Sequence, residues 1–310
     1  MRLLLQFPEG LKQHALEYAK ALEAKGNEVF ISASPTFGAC DLALDEARNI
    51  HADKIIHFGH AEFQKVDFDV EYIEYNVDAP LEILERSLEP LSAYHTIGIV
   101  TTIQHIHQLD NIVKFYEKHG KKAIVGKPYG FAKKPGQILG CDIGSAATID
   151  RQVDAFVYFG GGMFHPLGAL LNTTKPFLVV EPFANKVEFI DDYRITYKGR
   201  SKGKVLVALE AKSFGIMLTT KNGQHNMALA KILKEKIERR GLKAEILVAN
   251  TFDFTSLQNM REFDAFVNTA CPRIAIDDAD RIGGRPLLSA NELMEVLRMK
   301  KELAELRTRN

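Results

Sequence analysis

Short apolar runs alternate with longer amphipathic segments along almost the whole chain. In the first third, Leu3–Phe7 reads as a strand, and Gly10–Lys25 as a helix with Leu11, Ala15, Tyr18, Ala19 and Leu22 on its apolar side. Gly26 closes that helix, and Glu28–Ile31 starts the next strand. A helix over Asp41–Ile50 and a strand over Lys54–Phe58 complete the set. The second third repeats the scheme. Its strands are Thr96–Val100, Ala123–Val125, Ala155–Phe159 and Phe177–Val180, with helices over Leu109–His119 and Ser145–Gln152. In the last third the pattern predicts strands at Val205–Leu209, Ala244–Val248 and Ala265–Asn268, and helices at Asn226–Arg240 and Ser256–Glu262. The chain from Asn291 onward reads as one charged helix. Repeated βα units of this length predict parallel sheets with helices on both faces. Polar stretches near Glu89–Tyr94 and Tyr197–Lys204 read as linkers, giving three α/β domains over 1–92, 93–200 and 201–310.

The three thirds are related. Ala52–His60, Val153–Gly162 and Phe263–Pro272 each consist of an Asp, an apolar strand-like run and a small-residue turn. The aspartates are Asp53, Asp154 and Asp264. The chain has 3 cysteines, one per third: Cys40, Cys141 and Cys271. Cys40 and Cys141 each stand 13 residues before their Asp, whereas Cys271 lies 7 residues after its own. All three sit in turn-like contexts: Gly38-Ala39-Cys40-Asp41, Gly140-Cys141-Asp142 and Ala270-Cys271-Pro272-Arg273. A lone cysteine usually packs as a small hydrophobe, but flanking Gly, Asp and Pro do not make a core pattern. No Cys-x-x-Cys pair is present, so zinc ribbons and fingers are excluded by spacing. Three thiolates gathered by folding would serve a [4Fe–4S] cube with one iron left open, or a three-cysteine zinc site with one open position. In open α/β sheets such sites form at the carboxyl ends of strands.

Composition narrows the class. Lys+Arg and Asp+Glu are both 40, so the basic excess expected of a nucleic-acid binder is missing. No apolar run approaches the roughly 20 residues a membrane helix needs, and the N-terminus has no signal-peptide pattern. The expected location is therefore the reducing cytoplasm, where thiols are available as metal ligands. A periplasmic-type ligand-binding protein built from α/β lobes fits less well on the same grounds.

Other features are less specific. Gly160-Gly161-Gly162 after a strand allows a backbone to approach a ligand, but lacks dinucleotide-fingerprint spacing. His165 follows it and is a candidate ligand contact. His105 and His107 in Gln-His-Ile-His are a weak metal pair. Pro8-Glu9-Gly10 is foremost a helix-start signal. The loop Thr219–His225 precedes a helix and would suit a carboxylate or phosphate.

Five motifs together resemble the archaeal Dph2 family of diphthamide-biosynthesis enzymes, the 2-(3-amino-3-carboxypropyl)histidine synthases. They are Phe7-Pro8-Glu9-Gly10-Leu11, Gly38–Asp41, Gly136–Cys141, Gly160–Gly162 with Phe164–Gly168, and Ala270–Asp278. They span nearly the whole chain, and the last is the most specific. Lys221-Asn222-Gly223-Gln224 departs from the Lys-Pro-Gly-Gln expected of the family. The resemblance implies three similar Rossmann-like domains with parallel sheets around a central cluster site. It implies that Cys40, Cys141 and Cys271 ligate a [4Fe–4S] cluster beside which S-adenosylmethionine binds, with Gly161, Gly162 and His165 positioning that substrate. The implied reaction yields a 3-amino-3-carboxypropyl radical and methylthioadenosine. The radical adds to the imidazole C2 of one histidine in translation elongation factor 2. A reductant or electron-donor protein and a homodimer are implied as well.

Overall fold

The apolar runs become the inner strands of three sheets. In the computed structural model, which describes residues 1–309, the first sheet contains β1 (Arg2–Gln6), β2 (Glu28–Ile31), β3 (Lys54–Phe58) and β4 (Val70–Ile73). Helices α1 (Ala15–Glu23) and α2 (Leu44–Asn49) provide crossovers, and the strand order β2-β1-β3-β4 is parallel throughout. The predicted helix over Gly10–Lys25 opens with a 3-10 segment, Glu9–His14, before turning α-helical at Ala15.

The second sheet is built from β5 (Thr96–Thr101), β6 (Lys122–Ile124), β7 (Ala155–Phe159), β8 (Phe177–Glu181) and β9 (Lys186–Phe189). Helices α3 (Leu109–Lys118), α4 (Gly144–Ala147) and α5 (Phe164–Asn172) connect them. The order is β6-β5-β7-β8-β9, with the edge strand β9 antiparallel. These two sheets share one compact unit, residues 1–194.

The second unit starts at residue 195. Helix α6 (Asp192–Ala208) leads to β10 (Ser213–Thr219), α7 (Met227–Glu238), β11 (Lys243–Ala249), α8 (Phe254–Asn259), β12 (Ala265–Asn268), α9 (Ile274–Asp277), β13 (Leu287–Ser289) and α10 (Ala290–Arg309). The order β11-β10-β12-β13 is again parallel. No helix among the described residues is long and apolar enough to cross a membrane.

Two expectations are corrected here. Val205–Leu209 is not a strand, and Tyr197–Lys204 is not a linker: α6 contains all of the second segment and all of the first but Leu209. Val205 and Ala208 are buried while Leu206 and Val207 face solvent, a three-residue spacing that suits a helix and not a pleat. The first strand of the third sheet is instead β10, which Gly215 conceals by interrupting its apolar run. That glycine has a cause. It pairs with Phe266, and a Cβ on it would meet that ring at 2.9 Å. The second sheet repeats the arrangement with Gly98 opposite Phe156, at 2.7 Å.

Alternate residues of each first strand feed opposite faces. Leu3 and Leu5 join Phe7, Ala15 and Phe58, whereas Leu4 packs with Ala47 and Ile55. In the second unit Phe214, Ile216 and Leu218 lie on one face and Met217 on the other. Each fully buried aliphatic side chain contributes roughly 1.5–3 kcal/mol. The repeated aspartates share one task. Asp53 accepts the Arg2 N–H (2.6 Å), Asp154 those of His95 and Thr96 (3.1 and 2.8 Å), and Asp264 those of Lys212 and Ser213 (2.8 and 3.0 Å). Each therefore latches the amino end of its sheet's first strand. The Thr96 amide beside Asp154, and the Lys212 amide beside Asp264, hold those carboxyls below the usual range.

Candidate active site

The opposite, carboxyl edges of the sheets carry the cysteines. Cys40 lies between β2 and α2, and Cys141 between β6 and α4. This equivalence is the structural content of their shared 13-residue offset. Cys271 instead follows β12 directly. Cys40 and Cys141 belong to the first unit and Cys271 to the second. Cys141 is exposed, and the other two are half-buried. Among the described residues no group of three or more His, Cys, Asp or Glu is gathered closely enough to hold one metal ion.

Each cysteine loop is pinned by a buried polar side chain. Buried Asp142, next to Cys141, accepts the Ala132 N–H (2.8 Å) and the Gly144 N–H (2.9 Å), tying both backbone segments to the residue beside the cysteine. That loop lies directly on α5: a Cβ on Gly140 would run into the Phe164 ring, and one on Gly168 into the Gly140 carbonyl. Asn268 closes the Cys271 turn from both sides, its Nδ2 donating to the Cys271 carbonyl (2.8 Å) and its Oδ1 accepting the Ala270 N–H (3.1 Å). Two residues on, buried Arg273 forms a two-pronged bridge to Asp277, at 3.0 and 2.6 Å.

Gln6, the last residue of β1, pins the Cys40 loop. Its Nε2 donates to the Asp41 carbonyl (2.7 Å) and the Thr36 hydroxyl (3.3 Å), and its Oε1 accepts the Ala43 N–H (3.2 Å). These partners fix which end of the amide is oxygen. The same oxygen lies 2.9 Å from His57 Nδ1, and His57 Nε2 lies 3.0 Å from His60 Nδ1. His57 is fully buried, and burial, aided by its neighbour His60, pushes its pKa down to about 3. Burial pushes His60 down to about 4 against the pull of the Phe58 carbonyl. Both rings are therefore neutral near pH 7.

Neutrality and a fixed Gln6 oxygen determine the tautomers. His57 carries its proton on Nδ1 and accepts at Nε2, so His60 donates from Nδ1 and keeps a lone pair on Nε2. Gly38 lies beside that nitrogen: a Cβ there would lie 3.6 Å from Cys40 Sγ and 3.9 Å from His60 Nε2, and apart from its chain neighbours Phe37 and Ala39 would meet no other described atom within 4 Å.

The glycine turn after β7 is also organised. Gly162 has φ +72°, and its N–H donates to Glu181 Oε1 (3.0 Å) at the end of β8. The Tyr158 hydroxyl donates to the Gly161 carbonyl (3.3 Å). His165 lies in the first turn of α5, edge-on to Phe164 at 5.2 Å between centroids. His105 and His107 do not converge. The ring of His105 donates from Nδ1 to the Val77 carbonyl (3.0 Å), and His107 pairs with Asp78 (2.8 Å), so both fasten the segment before α3 to the chain ahead of β5.

Gln6, His57, His60 and Glu181 were not singled out from the sequence. The available signal was a glutamine and a histidine inside otherwise apolar strands, since a buried polar group must be satisfied and is seldom placed without use.

The chain matches the diphthamide synthesis protein family model over residues 7–306. It is 32% identical over 305 residues to the 2-(3-amino-3-carboxypropyl)histidine synthase of Pyrococcus horikoshii, covering 97% of this chain and 87% of that one. Subunit 1 of the human synthase is 27% identical, covering 96% and 68%. The crystal structure of Dph2 from Pyrococcus horikoshii superposes with a TM-score of 0.89 at 30% identity, over 96% of this chain and 86% of that one. A second structure of that protein, with a 4Fe-4S cluster, gives 0.88. With motifs, fold and full-length similarity in agreement, the chain belongs to the diphthamide synthesis protein family.

Proposed function

We propose that this protein transfers the 3-amino-3-carboxypropyl group of S-adenosylmethionine to the imidazole C2 of a histidine in translation elongation factor 2, the first step of diphthamide biosynthesis. In this reading three α/β domains, 1–92, 93–200 and 201–310, each supply one ligand to a [4Fe–4S] cluster: Cys40, Cys141 and Cys271. One observation carries the reading. Every cysteine in the chain stands on a loop at the carboxyl edge of its own sheet, with a buried Gln, Asp or Asn fixing the loop's backbone.

The donor set suits an iron–sulfur cube. Three thiols with no fourth ligate three irons and leave one open. Asp142, the nearest carboxylate to Cys141 in sequence, is already occupied by two backbone N–H groups and leaves sulfur as the ligand. When bound and reduced, the cluster supplies the electron that breaks the bond between sulfur and the aminocarboxypropyl carbon.

The rest falls to the chain. The Gly160–Gly162 turn offers backbone without side chains, and Gly161, Gly162 and His165 position the nucleoside or methionine part of the substrate. Exposed Phe37 lies in the Cys40 loop, and exposed Phe164 packs its ring against Gly140 of the Cys141 loop. A cytoplasmic homodimer fed by an electron-donor protein completes the proposal.

A three-cysteine zinc site uses the same thiolates, so metal analysis separates the readings. Anaerobically purified protein should carry iron and acid-labile sulfide. With dithionite and S-adenosylmethionine it should release methylthioadenosine, and elongation factor 2 should gain the mass of one aminocarboxypropyl group on one histidine. Cys141→Ala should lose iron and turnover while keeping its circular dichroism. Zinc without sulfide, or full turnover in that variant, refutes the assignment.

A further inference from the structure

We propose that His60 Nε2 is a hydrogen-bond acceptor for a primary ammonium group, that of the aminocarboxypropyl part of S-adenosylmethionine. The inference rests on the function proposed above and adds a recognition residue to it.

Gln6 Oε1 is fixed as an acceptor by the Ala43 N–H, so the chain Gln6–His57–His60 runs one way, each ring donating toward Gln6. Its far end is the lone pair on His60 Nε2, the ring nitrogen turned away from His57. A lone pair held in this way accepts and does not donate.

Its surroundings select the donor. The open side of Gly38 is bordered by two electron-rich atoms, His60 Nε2 and Cys40 Sγ. A cationic donor gains from both, whereas a carboxylate or carbonyl gains from neither. A primary ammonium offers three N–H donors in a compact group, so it can satisfy the imidazole while facing the sulfur. Gln6 and His57 act as positioning residues by holding the ring in its accepting tautomer.

Binding to the unreduced, cluster-loaded protein tests this without turnover. Equilibrium dialysis compares S-adenosylmethionine with methylthioadenosine, which lacks the ammonium-bearing group. His60→Phe keeps a planar ring and removes the acceptor. It should weaken S-adenosylmethionine binding about tenfold or more, and leave methylthioadenosine binding and iron content unchanged. His60→Gln, with an amide oxygen as acceptor, should recover part of the loss. Gly38→Ala leaves the histidine chain intact but sets a methyl group in the gap, in ordinary contact with both atoms; it should show the same selectivity. Equal losses for both ligands, affinity unchanged within twofold in His60→Phe and Gly38→Ala, or lost iron in both variants overturn the proposal. Wild-type protein that binds no S-adenosylmethionine refutes the functional reading and this inference with it. Wild-type binding that the variants leave intact refutes the inference alone.

Discussion

Replacing Lys204 by Met should destabilise the second unit by about 3 kcal/mol. The Lys204 ammonium, only 13% exposed, donates to the Ala275 carbonyl (3.0 Å) and the Leu287 carbonyl (3.2 Å) and pairs with Glu292 (2.9 Å), which is 6% exposed. It joins α6 to α9, four residues past Cys271, and to α10. Breaking a buried pair by removing one partner costs about 3–5 kcal/mol, because the other charge stays buried. Glu292 keeps the Ser201 hydroxyl (2.6 Å) and the Ser289 N–H (2.7 Å), which places the loss at the lower end. The chain has no Trp, so urea unfolding is best followed by circular dichroism. The double variant Lys204→Met/Glu292→Leu removes both charges and should recover about 1–2 kcal/mol, less than the full amount because the Ser289 cap is lost as well. A single variant within 0.5 kcal/mol of wild type, on the order of an ordinary surface substitution, would show that the pair is not a buried clasp. A double variant weaker than the single would show that the loss does not come from the orphaned carboxylate.

Further outcomes follow from other contacts. Asp142→Ala strands the Ala132 and Gly144 N–H groups at about 1–3 kcal/mol each, and should lower both the melting temperature and the iron content. Gly98→Ala drives a methyl group against Phe156 and should cost about 1–3 kcal/mol, measured by denaturant titration. For pH, His57 titrates near 6.5 when unfolded and at about 3 when folded. The unfolded chain therefore binds the proton first, and stability is lost as pH falls from 6.5 toward 3. The slope for this one group is up to about 1.4 kcal/mol per pH unit. Circular dichroism melts of cluster-free protein should show this loss, and His57→Gln should flatten it. An unchanged slope refutes the neutral, buried assignment.

The sequence was most legible where periodicity and covalent chemistry coincide. The inner strands and the cysteine positions follow from four- to five-residue apolar runs and from spacing alone. The Asp53, Asp154 and Asp264 repeat was visible, but its task was not, because a latch onto a strand's first N–H is a pairing between distant residues. β10 was lost to Gly215, whose reason is a ring on the neighbouring strand. α6 was misread because Val205-Leu206-Val207 has strand composition, while burial of Val205 and Ala208 alone decides the period. In the candidate site, the thiols announce themselves by type. Gln6, His57 and His60 acquire meaning only once β1 and β3 lie side by side in register, with Gln6 opposite His57.

The antiparallel strand β9 has a kinetic consequence. Among the described strand pairs every other one is parallel, so its partners are separated by a crossover and must close a long loop before gaining any contact. β8 and β9 are joined by only Pro182–Asn185, and Asn185 takes the left-handed conformation (φ 51°) that completes the turn. Hairpins of this kind form in microseconds, whereas non-local parallel pairing is far slower. Among the described strands the β8–β9 ribbon is thus the one piece of sheet able to form from its own sequence, and it offers an edge against which β7 can dock. Pulse-labelled hydrogen exchange during refolding should protect the amides of Leu178–Val180 and Val187–Phe189 ahead of those in β1 or β10. Simultaneous protection of all three sheets would show that the ribbon does not nucleate the fold.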